Sequence, residues 1–417
     1  MTSPNTTLFT PLQIGRSTLS HRIVMAPLTR FRATDDHIPT DLMASYYSQR
    51  ASTPGTLLIT EATLIHPRAG GYDNAPGIWS AEQIKAWQRI TSTVHAKGSY
   101  IYLQLWALGR SAIPSILALE GDYEVVSASS IPQSQTLYFS AAPLSTSPHA
   151  LTEDEIQEYI ALYASAAKNA IAAGFDGVEI HGANGYLIDQ FIQDMINVRT
   201  DRWGGSVENR SRFPVEVARA VVDAVGADRV GIRLSPFGSV GHDGMPHDAA
   251  VAQYTDLVSR LKELKLAYLH LALFQVTQEG TAEKVKFLVD VWDSTSPVLL
   301  AGGFDGEKAR KAVEETYEDK DVAIVFGKLF ISNPDLVYRL REGKELNHYD
   351  RSTFYHVGAT EEKGFVDYSF SEGSDVAGAK AADAVQAVLS VPVVSALQGV
   401  HLAQSTQSSQ AVQAVQA

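Results

Sequence analysis

Three side chains close together in the sequence, His181, Asn184 and Tyr186, carry what is needed to hold an oxygen and to move a proton. An imidazole and a carboxamide are two hydrogen-bond donors, and a phenol is a weak acid with an ordinary pKa near 10. They lie in the stretch Val178-Glu179-Ile180-His181-Gly182-Ala183-Asn184-Gly185-Tyr186. Val178 and Ile180 flank Glu179 in the alternation of a strand, and Gly182 and Gly185 then turn the chain, so the three polar groups are expected to converge just beyond the strand end. A lone histidine in such a run is more often a satisfied core residue, but three polar groups at one strand end point to a site.

The elements that must position this stretch repeat along the chain. Short apolar runs rich in β-branched residues span residues 23–26, 57–60, 100–106, 177–181, 230–234, 268–271, 298–301 and 322–326. Segments with helical spacing separate most of them, as parallel strands joined by crossover helices require. Ser80 with Gln83 and Thr152 with Glu155 form capping-box patterns. After Thr152 the residues Ile156, Tyr159, Ile160, Tyr163, Ala167, Ala170 and Ile171 keep the three-four rhythm of one buried face, and Gly174 supplies the stop. Eight such alternations predict an α/β fold, a (β/α)8 TIM barrel. A doubly wound sheet is the alternative, but no strand-turn-helix carries the dinucleotide fingerprint Gly-x-Gly-x-x-Gly. Residues 8–22 read as an entry segment with turns at Pro11 and Gly15, and residues 109–150 as a lid-like insertion rich in Ser, Pro and Ala. The barrel is expected over residues 1–370, and the Ala/Val/Gln/Ser-rich residues 371–417 as a poorly ordered tail with some helical tendency.

Composition narrows the chemistry. The chain has 417 residues, 45% of them hydrophobic and 19% charged, and a net charge of −13, which suits a soluble globular protein. It disfavours nucleic acid and anionic membranes as partners, because both need a basic footprint. A small-molecule substrate follows, with monomer and homodimer both open. The absence of cysteine excludes disulfides, zinc-thiolate sites, iron–sulfur clusters and thiol nucleophiles. Met1 to Thr7 lack a basic region followed by an apolar run, so a cytoplasmic location is the expectation.

Active sites of this barrel are built from the C-terminal strand ends. Here those ends offer Ala26-Pro27-Leu28-Thr29, then Gln104 and Trp106, then His181, then Arg233. The last two add Ala301-Gly302-Gly303-Phe304 and Phe326-Gly327-Lys328, glycine amides and one cation where the fold often holds a phosphate. A phosphate there, facing Gln104 and Arg233, fits a phosphorylated planar cofactor, for which flavin mononucleotide (FMN) is the natural candidate. The same phosphate site would also serve a flavin-free isomerase or lyase using Arg233 and Lys328.

Longer motifs carry a resemblance. Met25 to Arg30 (Met-Ala-Pro-Leu-Thr-Arg), Gly71 to Gly77 (Gly-Tyr-Asp-Asn-Ala-Pro-Gly), Gln104-Leu105-Trp106, the run from His181 to Phe191, and Arg202 to Arg210 (Arg-Trp-Gly-Gly-Ser-Val-Glu-Asn-Arg) closely resemble the Old Yellow Enzyme family. The resemblance extends from about Leu8 to Phe370. It implies an FMN-dependent ene-reductase, reduced by NADPH and oxidised by an alkene activated by a carbonyl or nitro group.

Carried onto this chain, the resemblance makes Thr29 a hydrogen-bond partner of the flavin edge, with Pro27, Leu28 and Ala62 lining the ring. Gln104 would bind the pyrimidine side, Arg233 would stabilise charge on the reduced ring, and Gly302, Gly303, Gly327 and Lys328 would hold the phosphate. His181 and Asn184 would donate to the substrate oxygen and Tyr186 would protonate the α-carbon. Tyr72, Trp106, Phe237 and Tyr355 would shape the substrate side. The chain departs from the family pattern at Lys328, usually Arg, which keeps the charge and loses the bidentate fork. It departs again at Ala107-Leu108, where a His often precedes the Gly-Arg pair, and at Phe354 to Gly358. The sequence is similar to the fungal branch that includes the chanoclavine-aldehyde reductases and isomerases of ergot-alkaloid pathways. In that branch a Tyr at the position of Tyr186 favours net reduction and a Phe favours isomerisation.

Overall fold

Alternation along each strand sorts its side chains between two cores. The computed structural model describes residues 6–133, 147–237, 244–273 and 283–374. Eight parallel strands close into a barrel: β1 (Ile23–Met25), β2 (Leu57–Ile59), β3 (Tyr100–Trp106), β4 (Gly177–Gly182), β5 (Val230–Leu234), β6 (Tyr268–Ala272), β7 (Val298–Ala301) and β8 (Val322–Phe326). Pairing of β8 with β1, and of β1 with β2, completes the ring. Around it lie α1 (Asp41–Arg50), α2 (Ala81–His95), α3 (Glu153–Ala172), α4 (Val207–Val225), α5 (His247–Lys262), α6 (Lys286–Trp292), α7 (Gly306–Lys311), α8 (Lys328–Ser332) and α9 (Leu336–Glu342). This is the (β/α)8 barrel expected from the sequence.

Val24, Leu57, Ile59, Tyr102, Tyr268, Leu299, Ala323 and Val325 form the cluster inside the barrel. Their strand neighbours Ile23, Met25, Leu58, Ile101, Leu103, Leu269, Leu300 and Ile324 form the larger cluster that includes the buried helix residues. At the floor, the rings of Tyr102 and Tyr268 lie 5.7 Å apart. Gly177 and Gly231 make room for them, since a Cβ at either position would sit 2.4 or 2.2 Å from a tyrosine ring carbon. The entry segment is an antiparallel hairpin, Leu12–Ile14 with Ser17–Leu19, and Leu12, Ile14 and Leu19 join the interior cluster. Strands of three residues are too short for the alternation that reveals a strand in sequence.

Both expected capping boxes form, at Ser80 on α2 and at Thr152 on α3. Ile156, Tyr159, Tyr163, Ala167 and Ala170 of α3 are buried as expected, while Ile160 and Ile171 at the edge of that face are half-buried. Gly174, at φ 87°, follows the helix. Within the expected insertion, a helix spans Pro114–Gly121 and a short parallel pair joins Val126–Ser127 to His149–Ala150. Residues 134–146 of that segment fall outside the described residues, as do residues 375–417 of the expected tail. By internal contacts the chain divides into Met1–Gly378, which holds the barrel, and Ala379–Ala417. Among the described residues, no helix is long and apolar enough to cross a membrane.

Candidate active site

The interior alternation that puts Tyr102 at the barrel floor carries Gln104 and Trp106 upward along β3. On β4 it places Glu179 below His181, all four being essentially sealed from solvent. His181 Nδ1 accepts the Ala183 backbone N–H at 3.3 Å, which assigns the ring proton to Nε2. Burial, reinforced by the positive charges of Arg233 and His270, holds His181 well below the usual 6.5. At neutral pH it is therefore a neutral imidazole with one N–H to give.

Beyond β4 the turn is braced at successive backbone groups. Asn184 sits in the left-handed region at φ 59°, a conformation asparagine tolerates, and its N–H donates to Ser235 Oγ at 2.8 Å. The next N–H, of Gly185, donates to Asp189 Oδ2 at 2.7 Å. Gln190, fully buried, donates through Nε2 to the carbonyls of Gly185 and Leu108 at 2.8 and 3.0 Å. Its Oε1 accepts from the Arg110 N–H and the Ser127 hydroxyl, so one side chain ties the Tyr186 turn to the insertion.

The Tyr186 ring meets His181 edge-on at 5.0 Å and Trp106 edge-on at 4.9 Å. Trp106 lies nearly parallel to His181, and Tyr72 packs 5.6 Å from Trp106. Burial pushes the Tyr186 phenol up, and Tyr355 adds to that, while Arg233 and a hydrogen bond from Tyr72 oppose it. The balance is upward, so Tyr186 remains a protonated phenol. Tyr355 is 41% exposed, with its ring 6.4 Å from Phe31. Phe237 is placed differently: its ring stacks on His247 at 5.3 Å and packs near Phe287, so its observed ring contacts are with helical residues rather than with Trp106 and Tyr186.

On the cofactor side, Pro27, Leu28 and Thr29 are half-buried after β1, and Ala62 is buried after β2. Gln104 Nε2 donates to Glu179 Oε1 at 2.7 Å, and its N–H donates to Thr60 Oγ1 at 3.1 Å. Arg233 keeps part of its surface accessible while its Nε is sealed. Gly302 is half-buried after β7, and Gly303 is exposed at φ 69°. Gly327 is half-buried and precedes α8, whose first residue, Lys328, is exposed with Nζ 5.2 Å from the Tyr349 ring centroid.

Several residues that the sequence motifs did not assign prove to be structural partners of this site: Glu179, His270, Thr60, Asp189 and Gln190 among them. Glu179, His270 and Thr60 gave no signal because each acts through a partner distant in sequence, and Asp189 and Gln190 because they act on backbone groups of the turn. Arg30 and Arg32 are likewise buried, and donate to the carbonyls of Phe354 and Glu361 at 3.0 and 2.9 Å, anchoring the segment that carries Tyr355.

Four buried polar atoms around this site, Trp106 Nε1, Asn184 Oδ1, Arg233 Nε and His270 Nε2, have no partner among the described residues. Buried polar groups are normally satisfied, so these orphans, with a cation and glycine-rich strand ends beside them, fit a polar, planar, phosphorylated ligand. Residues 7–347 match the model of the NADH:flavin oxidoreductase / NADH oxidase family. The chain belongs to this family. A chanoclavine-I aldehyde reductase, fgaOx3, of Penicillium roqueforti is 52% identical over 88% of this chain and 97% of its own. An NADP-dependent oxidoreductase, lnbE, of Aspergillus flavus is 50% identical over 88% of this chain and 96% of its own. Among solved structures, the old yellow enzyme homologue of Zymomonas mobilis superposes with a TM-score of 0.79 at 37% identity, covering 87% of this chain and 99% of that one. The protein is thus an Old Yellow Enzyme-type flavin oxidoreductase whose cofactor is FMN and whose reductant is a nicotinamide. Membership in a flavin family answers the flavin-free isomerase or lyase alternative.

Proposed function

We propose that this oxidoreductase is an NADPH-dependent ene-reductase acting on the C=C bond of α,β-unsaturated carbonyl compounds or nitroalkenes. The observation that carries the reading is the pairing, across Trp106, of a neutral histidine with an available N–H and a buried phenol that keeps its proton. Bound FMN, held by Thr29, Gln104, Arg233, Gly302, Gly303, Gly327 and Lys328, supplies the hydride drawn from NADPH. The Nε2–H of His181 and the side-chain amide of Asn184 bind the substrate oxygen and stabilise the negative charge that develops there. Tyr186 gives its hydroxyl proton to the α-carbon. Tyr72, Trp106 and Tyr355 bound the substrate, with the Tyr72 ring packed 5.6 Å from Trp106. The described parts of the insertion, residues 109–133 and 147–150, serve as a cover beside the site, a role supported by the Gln190 tie from Arg110 and Ser127 to the Tyr186 turn.

The aldehyde named in the fungal relative fgaOx3 favours an unsaturated aldehyde of secondary metabolism as the physiological substrate. Tyr186, rather than Phe, favours net reduction over isomerisation. Stopped-flow measurement of Tyr186→Phe tests the assignment. Reduction of the flavin by NADPH is expected to be spared, with reoxidation by an enal or enone slowed about 10²–10⁴-fold, as for loss of a general acid. Equal slowing of both half-reactions would remove Tyr186 from the proton-transfer role.

A further inference from the structure

Beneath the mouth lies a buried carboxylate that none of the proposed steps uses. Glu179 is wholly buried in the middle of β4. Its two oxygens are divided: Oε1 accepts from Gln104 Nε2 at 2.7 Å and Oε2 from His270 Nδ1 at 2.8 Å. The charge of Arg233 also acts on this carboxylate. The register explains the convergence. Gln104 pairs with Glu179 across β3 and β4, and one inward-facing step further along the strands Arg233 pairs with His181 on β4 and with His270 on β6, so Glu179 lies between Gln104 on its own level and the positive groups on the level above.

Burial alone would push the Glu179 carboxyl up, but His270, Arg233 and Gln104 together bring it below its usual range. Burial holds His270 below its own usual value despite Glu179. A cationic His270 would favour the carboxylate most, yet burial keeps that imidazole neutral. We favour an ionised Glu179 receiving a hydrogen bond from a neutral His270, since Arg233 already supplies the positive charge.

We propose that Glu179 is a positioning residue for the flavin: it fixes the Gln104 amide end for end and sets the negative charge that offsets Arg233 in the flavin site. This rests on the assignment of Gln104 and Arg233 to the flavin. An ionised carboxylate is an acceptor only, so it takes the amide nitrogen of Gln104 and leaves the amide oxygen as the acceptor presented elsewhere. A fixed negative charge in the flavin site would disfavour the added negative charge of a reduced flavin, and protein charges of this kind tune a bound flavin's electronics.

Two substitutions separate charge from reach. Glu179→Gln keeps length and removes charge, so the FMN midpoint potential is expected to shift positive in the purified holoenzyme. Glu179→Asp keeps charge and falls one methylene short of Gln104, so the potential should stay near the wild-type value. Its dissociation constant for FMN, read by fluorescence titration of apoprotein, should rise about tenfold, the loss of one charge-assisted hydrogen bond. Gln104→Leu is the control and should also weaken FMN binding. If Gln104→Leu leaves binding unchanged, the assignment of Gln104 to the flavin is at fault. If it weakens binding while Glu179→Gln leaves the potential unmoved and Glu179→Asp leaves the affinity unmoved, Glu179 has no positioning role. Should Glu179→Gln not fold, the affinity of Glu179→Asp decides alone.

Discussion

The donor role proposed for His181 requires an environment that keeps it neutral, and that has a visible consequence in pH. Its pKa is lowered well below 6.5 by burial and by the neighbouring positive charges, so it stays unprotonated as pH falls through the ordinary histidine range. The rate of alkene reduction is expected to show no inflection near pH 6.5, and an inflection there that disappears in His181→Asn would show that the imidazole titrates normally. His181→Ala should lower kcat for alkene reduction about 10²–10³-fold, the usual effect of losing one such donor, measured in the half-reaction with pre-reduced enzyme. At this scale, the proposed site residues were legible in the sequence and the residues that brace them were not. His181, Asn184 and Tyr186 stand within six positions of one another, so their convergence followed from one strand end. Glu179 and His270 are 91 residues apart, and their contact exists only because β4, β5 and β6 lie side by side.

At the scale of elements, the barrel strands were legible because buried parallel strands are continuous apolar runs, and five-residue runs such as Val230–Leu234 and Val322–Phe326 stand at the predicted limits. The floor hairpin escaped because each of its strands carries an exposed polar residue, Gln13 or Thr18, between two buried ones and so is no continuous apolar run. The junction between the Tyr186 turn and the insertion was equally hidden, since Gln190 is one polar residue on a short helix, Leu187–Ile192. Gln190→Met keeps most of the volume and strands four buried polar partners, the carbonyls of Leu108 and Gly185, the Arg110 N–H and the Ser127 hydroxyl. With buried unsatisfied groups costing about 1–3 kcal/mol each, chemical denaturation should show a loss of at least about 2 kcal/mol. A loss below about 0.5 kcal/mol would mean that the junction is not maintained by this side chain.

For the whole molecule, one buried acid sets a pH dependence of stability. Burial raises the Glu61 carboxyl to about 7 from 4.5, against the opposing Arg30 and Arg32, while its oxygens accept from the Arg30 N–H and the Tyr47 hydroxyl. A folded-state pKa above the unfolded value contributes stability that is fully present below pH 4.5 and lost as pH rises through about 7. At about 1.4 kcal/mol for each tenfold change in proton affinity, this is on the order of 3 kcal/mol, and Glu61→Gln should flatten the stability profile between pH 5 and 8. An unchanged slope in urea denaturation would exclude Glu61 as its source. The proposed reaction sets a neutral donor and a protonated phenol to work with the flavin, and the product of an enal distinguishes it from simple carbonyl reduction. Incubation of an α,β-unsaturated aldehyde with NADPH and the holoenzyme, followed by NMR of the product, should give the saturated aldehyde with its new α-hydrogen drawn from solvent. Formation of the allylic alcohol, with the C=C bond intact, would contradict the account.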